Sequence, residues 1–143
     1  MEIRSPETNF EWEAYYDLRY RVLREPLGKE RGSEKNEGDE KGIHLAIFED
    51  LKVKAIARLD YDSEEHAQVR FVAVETDEQG RGWGRKIMDA VEERCKQDQQ
   101  QLLILHARDY AVEFYLKLGY EKVAKSHKLF GVLQHYLMQK KLT

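Results

Sequence analysis

The stretch Gln79-Gly80-Arg81-Gly82-Trp83-Gly84 puts glycine at every second position, and Arg81 and Arg85 add positive charge. Glycine lets the backbone take positive φ and approach a ligand closely, and successive N–H groups in such a run can face one concavity. An apolar strand-like run precedes the loop and a helix-like run follows it, so those N–H groups meet the partial positive charge of a helix N-terminus. The chemistry this suits is the binding of an anion, phosphate above all. Spacing narrows the ligand. Gly-x-Gly-x-Gly is not the Gly-x-Gly-x-x-Gly of dinucleotide sites, and Gly84-Arg85-Lys86-Ile87 lacks the Gly-Lys-Ser/Thr of a P-loop. A glycine-softened strand-to-helix turn with no ligand is the plain alternative.

The elements that must position this loop follow from hydrophobic spacing. Asn9 to Arg24 reads as an amphipathic helix with Phe10, Tyr15, Leu18 and Val22 at near-helical intervals, and Asn9 is a suitable N-cap. Glu25 to Lys41 is charged, contains glycine and has almost no apolar residue, which predicts a mobile loop. Ile43 to Phe48 and Val53 to Tyr61 are strand-like runs split by Glu49-Asp50-Leu51-Lys52, as in an antiparallel hairpin. Asp62 to His66 reads as a polar turn. Ala67 to Val74 has Val69, Phe71 and Ala73 on one face and Arg70, Val72 and Val74 on the other, so it is predicted to be a central strand.

After the loop, Trp83, Ile87, Met88, Val91 and Cys95 mark the buried face of a helix running to about Lys96. Leu102 to His106 is a short strand, parallel to the one before the loop by the crossover rule. A helix from Arg108 or Asp109 ends at Gly119, and Tyr120 to Ala124 and Val132 to Leu142 complete the sheet. The sum is an α/β fold, an α+β sandwich, with helices on both faces of a mixed sheet.

Composition sets the bounds. A chain of 143 residues suits one domain, residues 1–143, able to bury a core unaided. With 24 Lys plus Arg against 27 Asp plus Glu, no basic field points to nucleic acid or an anionic membrane, so an anion is bound locally. The single cysteine, Cys95, excludes an intramolecular disulfide and a multi-cysteine metal site. No apolar run approaches the roughly 20 residues of a membrane span, and the first residues lack a signal-peptide core. The expectation is a cytoplasmic protein with no metal, no nucleic-acid partner and no membrane partner.

The loop resembles motif A of the GNAT N-acetyltransferase superfamily: Gln or Arg, two residues, Gly, one residue, then Gly or Ala, here from Gln79 to Gly84 after the strand Val69 to Val74. Ala111-Val112-Glu113-Phe114-Tyr115-Leu116-Lys117-Leu118-Gly119-Tyr120 resembles the family's motif B, a helix that ends in glycine and an aromatic residue. Together they identify the chain with small bacterial-type, single-domain members. The resemblance implies a GNAT fold with a mixed sheet of about six to seven strands and a splayed parallel pair. It also implies transfer of acetyl from acetyl-CoA, as co-substrate, to a primary amine of a small molecule or peptide by direct attack in a ternary complex.

What the resemblance implies residue by residue is as follows. The CoA pyrophosphate lies on backbone amides of Gln79, Gly80, Arg81, Gly82, Trp83 and Gly84, supplemented by the Arg81 and Arg85 side chains. Trp83 is read as a packing residue in preference to a cover over the helix start. Pantetheine adds along Val72 and Val74 like an extra strand. His106 stands where many relatives carry an asparagine that contacts pantetheine, and Phe114 and Tyr115 complete the donor contacts. Tyr115 aligns with the general acid that serves the departing thiolate. No glutamate stands before the loop as the base, since Gln68 and Arg70 occupy that strand. His135, His44 and Glu75 are the candidates, with His135 preferred, and Arg70, Tyr20 and His44 are assigned to the acceptor. Two other readings stand beside this one. The domain could bind CoA thioesters without catalysis, as a sensor or assembly partner, or be an interaction domain with no nucleotide ligand. A monomer and a homodimer are both compatible with the sequence.

Overall fold

The computed structural model describes residues 1–64 and 66–142. In chain order the elements are β1 (Glu2–Arg4), α1 (Asn9–Leu23), β2 (Ile43–Glu49), β3 (Lys52–Tyr61), β4 (His66–Val74), α2 (Trp83–Gln97), β5 (Leu102–Arg108), α3 (Val112–Lys117), β6 (Glu121–Leu129) and β7 (Leu133–Lys141). The strands form one mixed, seven-stranded sheet in the order β1-β2-β3-β4-β5-β7-β6, which makes β4 central as its two apolar faces predicted. The parallel β4–β5 register covers only three residue pairs, His66–Leu102 to Gln68–Ile104, the short pairing expected of a splayed couple. By compactness the chain divides into Met1–Asp60 with Val69–Glu93, and Tyr61–Gln68 with Arg94–Thr143. Of the turn expected at Asp62 to His66, Glu65 lies outside the described residues, and His66 already belongs to β4.

In the first unit, α1 begins one residue earlier than the Asn9 cap predicted. The Thr8 hydroxyl accepts from Glu11 N while the Glu11 carboxylate accepts from Thr8 N, a capping box that outcompetes Asn9. The helix buries Tyr15, Leu18 and Leu23 against Ala46 and Phe48 of β2, Val53 and Ile56 of β3, and Ala73 of β4. Asp50 and Leu51 both have positive φ, which matches a two-residue hairpin turn of the primed type between β2 and β3. β1 pairs with β2 along the sheet edge and was not foreseen, because three residues carry too little pattern to read.

The segment Glu25 to Lys41, predicted to be a mobile loop, is pinned along its length by α1. Tyr20 Oη donates to Lys29 O at 2.7 Å, Arg24 Nε to Ser33 O at 3.1 Å, and Arg19 Nη1 to Glu34 O at 3.1 Å. Asp39 is the strongest tie. It receives Arg19 Nη1 at 2.9 Å and Arg58 Nη1 at 2.8 Å, and both guanidiniums have 0% relative exposure. Two buried cations need such a partner, because an unpaired buried charge costs several kcal/mol. Arg58 is also held by Asn36 Oδ1 at 2.6 Å and by Asp60. The close approach explains two glycines. A Cβ on Gly38 would stand 2.7 Å from Arg58 Nη2, and one on Gly42 would stand 2.6 Å from Arg58 Cδ.

Further along α1, Arg21 makes a bidentate pair with Glu75 at 2.8 and 2.9 Å, tying the helix to the residue that follows β4. The second unit is built on the β5–β7 antiparallel ladder, Leu102–Lys141 to Arg108–His135, with β6 paired on the outer edge of β7. Alternation in β5 sends Leu103, Leu105 and Ala107 inward and leaves Ile104, His106 and Arg108 half-buried on the other face. Among the described residues no helix is long and apolar enough to cross a membrane, and no three or more His, Cys, Asp or Glu are grouped to hold a metal ion.

Two predictions follow from these ionic contacts. Gly42→Ala forces a methyl into the Arg58 side chain, so urea unfolding will show a loss of about 1–3 kcal/mol; an unchanged midpoint contradicts the packing described. The Arg21 hydrogen bonds hold the Glu75 carboxyl below its ordinary range. A depressed carboxyl contributes stability that is complete above its unfolded value of about 4.3 and is lost as pH falls through the folded value. Glu75→Gln will therefore be less stable than the parent at pH 7 by roughly 1 kcal/mol or less, as for a partly exposed pair. Melting curves across pH will show that difference closing below about pH 4.

Candidate active site

In the first unit β4 leads through a 3-10 turn, Thr76–Glu78, into the glycine loop and then α2. Gly80 has φ 82° and Gly82 φ 86°, a left-handed backbone that only glycine adopts without strain. A Cβ at either position would meet nothing within 4 Å, so the space beside this backbone is open to a ligand. Gly84, grouped with the loop by sequence, is already in the first turn of α2. Gln79 closes the loop's start, its Nε2 donating to Val74 O at 3.4 Å. Arg85 is exposed at the head of α2, and Val72 and Val74 are half-buried on β4.

Trp83 is buried, as the packing reading held, and it also does something the sequence did not disclose. Its Nε1 donates to Glu78 Oε2 at 3.1 Å. The same carboxylate takes Lys54 Nζ from β3 at 2.7 Å and Arg81 Nη1 at 3.3 Å. Lys54 and Trp83 together hold Glu78 below the usual carboxylate range. Glu78 thus fastens both ends of the loop to β3. It also offsets the Arg81 charge, so the loop's attraction for an anion rests on its N–H groups and the α2 terminus.

Upstream on β4, Phe71 has φ 55°, which a phenylalanine rarely adopts and which costs about 1–3 kcal/mol. Cations hold the ring there: the guanidinium carbons of Arg19, Arg58 and Arg24 lie 4.1, 5.0 and 5.5 Å from its centroid. Arg70, assigned to the acceptor, is exposed, with its guanidinium carbon 6.0 Å from the Phe71 ring. Tyr20 is buried and its hydroxyl is engaged by Lys29 O. His44 has both ring nitrogens occupied, Nδ1 by Tyr15 Oη at 2.7 Å and Nε2 by Asp39 O at 2.9 Å, and burial pushes its pKa down. Two satisfied nitrogens and a surrounding cage of Trp12, Tyr15 and Tyr16 describe a core histidine. Glu75, the carboxylate candidate for a base, is committed to Arg21 and held below its ordinary range, which weakens it as a proton acceptor.

In the second unit, Tyr115 is buried in α3 between Phe114 and Tyr120, with ring centroids at 4.9 and 5.7 Å. The α3 terminus fixes it. Leu118 N and Tyr120 N both donate to Tyr115 O at 3.0 Å, and Gly119 takes φ 95° just past the helix, as predicted. Burial pushes the Tyr115 pKa up, so the phenol keeps its proton at any ordinary pH. His135 on β7 is buried, and its Nδ1 lies 3.0 Å from Leu133 O. A carbonyl can only accept, so Nδ1 carries the proton and Nε2 keeps a free lone pair. Burial, aided by neighbouring charges, holds His135 below the usual imidazole value. His106 faces His127, with ring centroids 5.4 Å apart. Sequence reasoning missed His127, because the run Lys125–Leu129 is polar and its strand was ended at Ala124.

Comparison with known proteins bears on this arrangement. The Bacillus subtilis uncharacterized N-acetyltransferase YitI is 26% identical over 133 residues, 89% of each chain. A further curated relative, 29% identical over 83 residues, is matched over only 55% of its own length. Among solved structures, a candidate N-acetyltransferase from Lactobacillus plantarum superposes with TM-score 0.84 at 25% identity, covering 99% of this chain and 98% of the other. An aminoglycoside 6'-N-acetyltransferase complexed with coenzyme A shares the fold with TM-score 0.82 at 15% identity, covering 100% of this chain and 98% of that one. Residues 20–142 match the acetyltransferase (GNAT) domain family, and the chain belongs to that family.

Proposed function

We propose that this protein transfers the acetyl group of acetyl-CoA to a primary amine of a small molecule or peptide, by direct attack of the amine. The observation that carries the reading is the loop Gln79 to Gly84, where Gly80 and Gly82 at positive φ open bare backbone toward free space at the start of α2. That geometry suits a pyrophosphate, and family membership makes CoA its bearer. The chain's residues take these roles. Backbone N–H groups of the loop bind the pyrophosphate, with the exposed Arg85 adding charge and Arg81, paired to Glu78, adding little. Val72 and Val74 pair along pantetheine. His106 and Phe114 complete the donor contacts, and the exposed Arg70 serves the acceptor, while Tyr20, buried and bonded to Lys29 O, shapes the segment beside it. The protein functions as one domain in the cytoplasm, as a monomer or homodimer.

The proton balance is as follows. An acceptor ammonium loses one proton to His135 Nε2 and becomes nucleophilic. Its nitrogen forms a bond to the acetyl carbonyl carbon, and a backbone N–H of β4 stabilises the developing oxyanion. The C–S bond then breaks with its electron pair on sulfur. The Tyr115 hydroxyl donates a hydrogen bond to the thiolate and relays to it the second proton, shed by the new amide nitrogen, so that CoA leaves as a thiol and the phenol ends as it began. A thiol of pKa about 8.5 is more acidic than a buried phenol, so Tyr115 stabilises the thiolate chiefly through a strong hydrogen bond.

Calorimetry with CoA will show binding to the parent protein and none to Gly82→Val, whose side chain is strained at φ 86° and fills the ligand's space. Retained affinity refutes the loop assignment. Tyr115→Phe will bind CoA normally and lose about 100-fold or more in turnover against a panel of primary amines, with thiol release as readout. Full turnover removes Tyr115 from the reaction.

A further inference from the structure

The β6–β7 ladder breaks register twice, between Lys122 and Ala124 and between Lys125 and Lys128; at the second break Lys125–Tyr136 is followed by Lys128–Gln134. Two residues of β6, Ser126 and His127, there stand against the single residue His135 of β7. Such a bulge re-aims a side chain, and bulges recur beside active sites. Here it lays the His127 ring on His135, with centroids 4.5 Å apart and planes within 17°. The bulge is itself fastened: Gln134 Nε2 donates to Ser126 O at 3.2 Å, His127 O at 3.4 Å and His135 O at 2.8 Å.

We propose that His127 is a positioning residue for His135: the bulge seats its ring face to face on the buried imidazole, fixing that ring's plane and setting a second imidazole against it. The inference rests on the reading of His135 as the base. Two contacts then define the His135 ring completely. Leu133 O fixes the tautomer from the Nδ1 side, and His127 fixes the plane, so the Nε2 lone pair has one direction. The charged and titratable groups facing His135 are His127 from β6, with His106 and Arg108 from β5, and Arg108 donates in turn to Tyr110 Oη at 3.0 Å. All are neutral or cationic, so each opposes a proton on His135, in the same direction as burial. A base must be empty before it can accept a proton, and this cluster keeps His135 empty near neutral pH.

The test follows imidazole 15N shifts with pH in the full chain, in the parent, His127→Phe, which keeps a flat ring but no nitrogen, and His127→Gln, which removes the ring. In the parent His135 will show the Nδ1–H tautomer and titrate below about 6.5, coupled to its neighbour. In His127→Phe the tautomer will persist and the His135 midpoint will rise. The acid limb of the rate against pH will rise with it, while CoA affinity stays unchanged. His127→Gln will show the same rise with a broadened His135 signal, as the ring loses its fixed plane. A His135 midpoint unmoved in both variants overturns the inference. The base reading fails separately, if His135→Ala binds CoA and keeps full turnover.

Discussion

Asp39 stands between two guanidiniums that water does not reach, and the first unit is organised around that fact. Arg19 comes from α1 and Arg58 from β3, and neither can remain buried without a carboxylate. The chain between α1 and β2 therefore has to fold back until Asp39 reaches both. Once it does, Gly38 and Gly42 pass so close to Arg58 that no side chain fits, and the carbonyls of Lys29, Ser33 and Glu34 receive Tyr20, Arg24 and Arg19. The same cations cradle Phe71 in an unfavourable backbone state on β4. Arg21, on the same helix, anchors the residue at which β4 gives way to the glycine loop. One ionic requirement thus connects the helix, the ordered segment after it and the strand that presents the loop.

The glycine loop is built on a different balance. Its two left-handed glycines supply open backbone, but the nearby carboxylate of Glu78 offsets Arg81. A loop designed to attract anions by net charge would omit that carboxylate. Its presence indicates that geometry matters more: Lys54 and Trp83 clamp Glu78 so that the backbone N–H groups are preorganised, and a preorganised donor set loses less entropy on binding. In the second unit a comparable economy appears at His135, where one carbonyl and one stacked ring hold a buried imidazole.

The sequence disclosed what is local and periodic. Every second residue glycine, the apolar stripe of α2, the alternation in β5 and the Gly119 terminus of α3 are short-range patterns, and the structure repeats them. Contacts between distant charges leave no such trace. Arg19 lies on the buried stripe of α1 with Tyr15, and that placement was a readable signal that it needs a partner, but nothing marked Asp39 as the partner. Reading Glu25 to Lys41 as a mobile loop followed from its polarity; the polarity serves to meet buried arginines. His127 was hidden for a related reason, since a bulged, exposed edge strand has no clean alternation.

The central claim is that the backbone from Gln79 to Gly84 receives the pyrophosphate of CoA. A backbone amide NMR titration with CoA tests it most directly, because the claim concerns N–H groups that no side-chain substitution removes. The account predicts that the amides of Gly80, Arg81, Gly82 and the first turn of α2 shift together and saturate with CoA, and that inorganic pyrophosphate moves the same set more weakly. CoA binding that leaves these amides unmoved, or no binding at all, would contradict it.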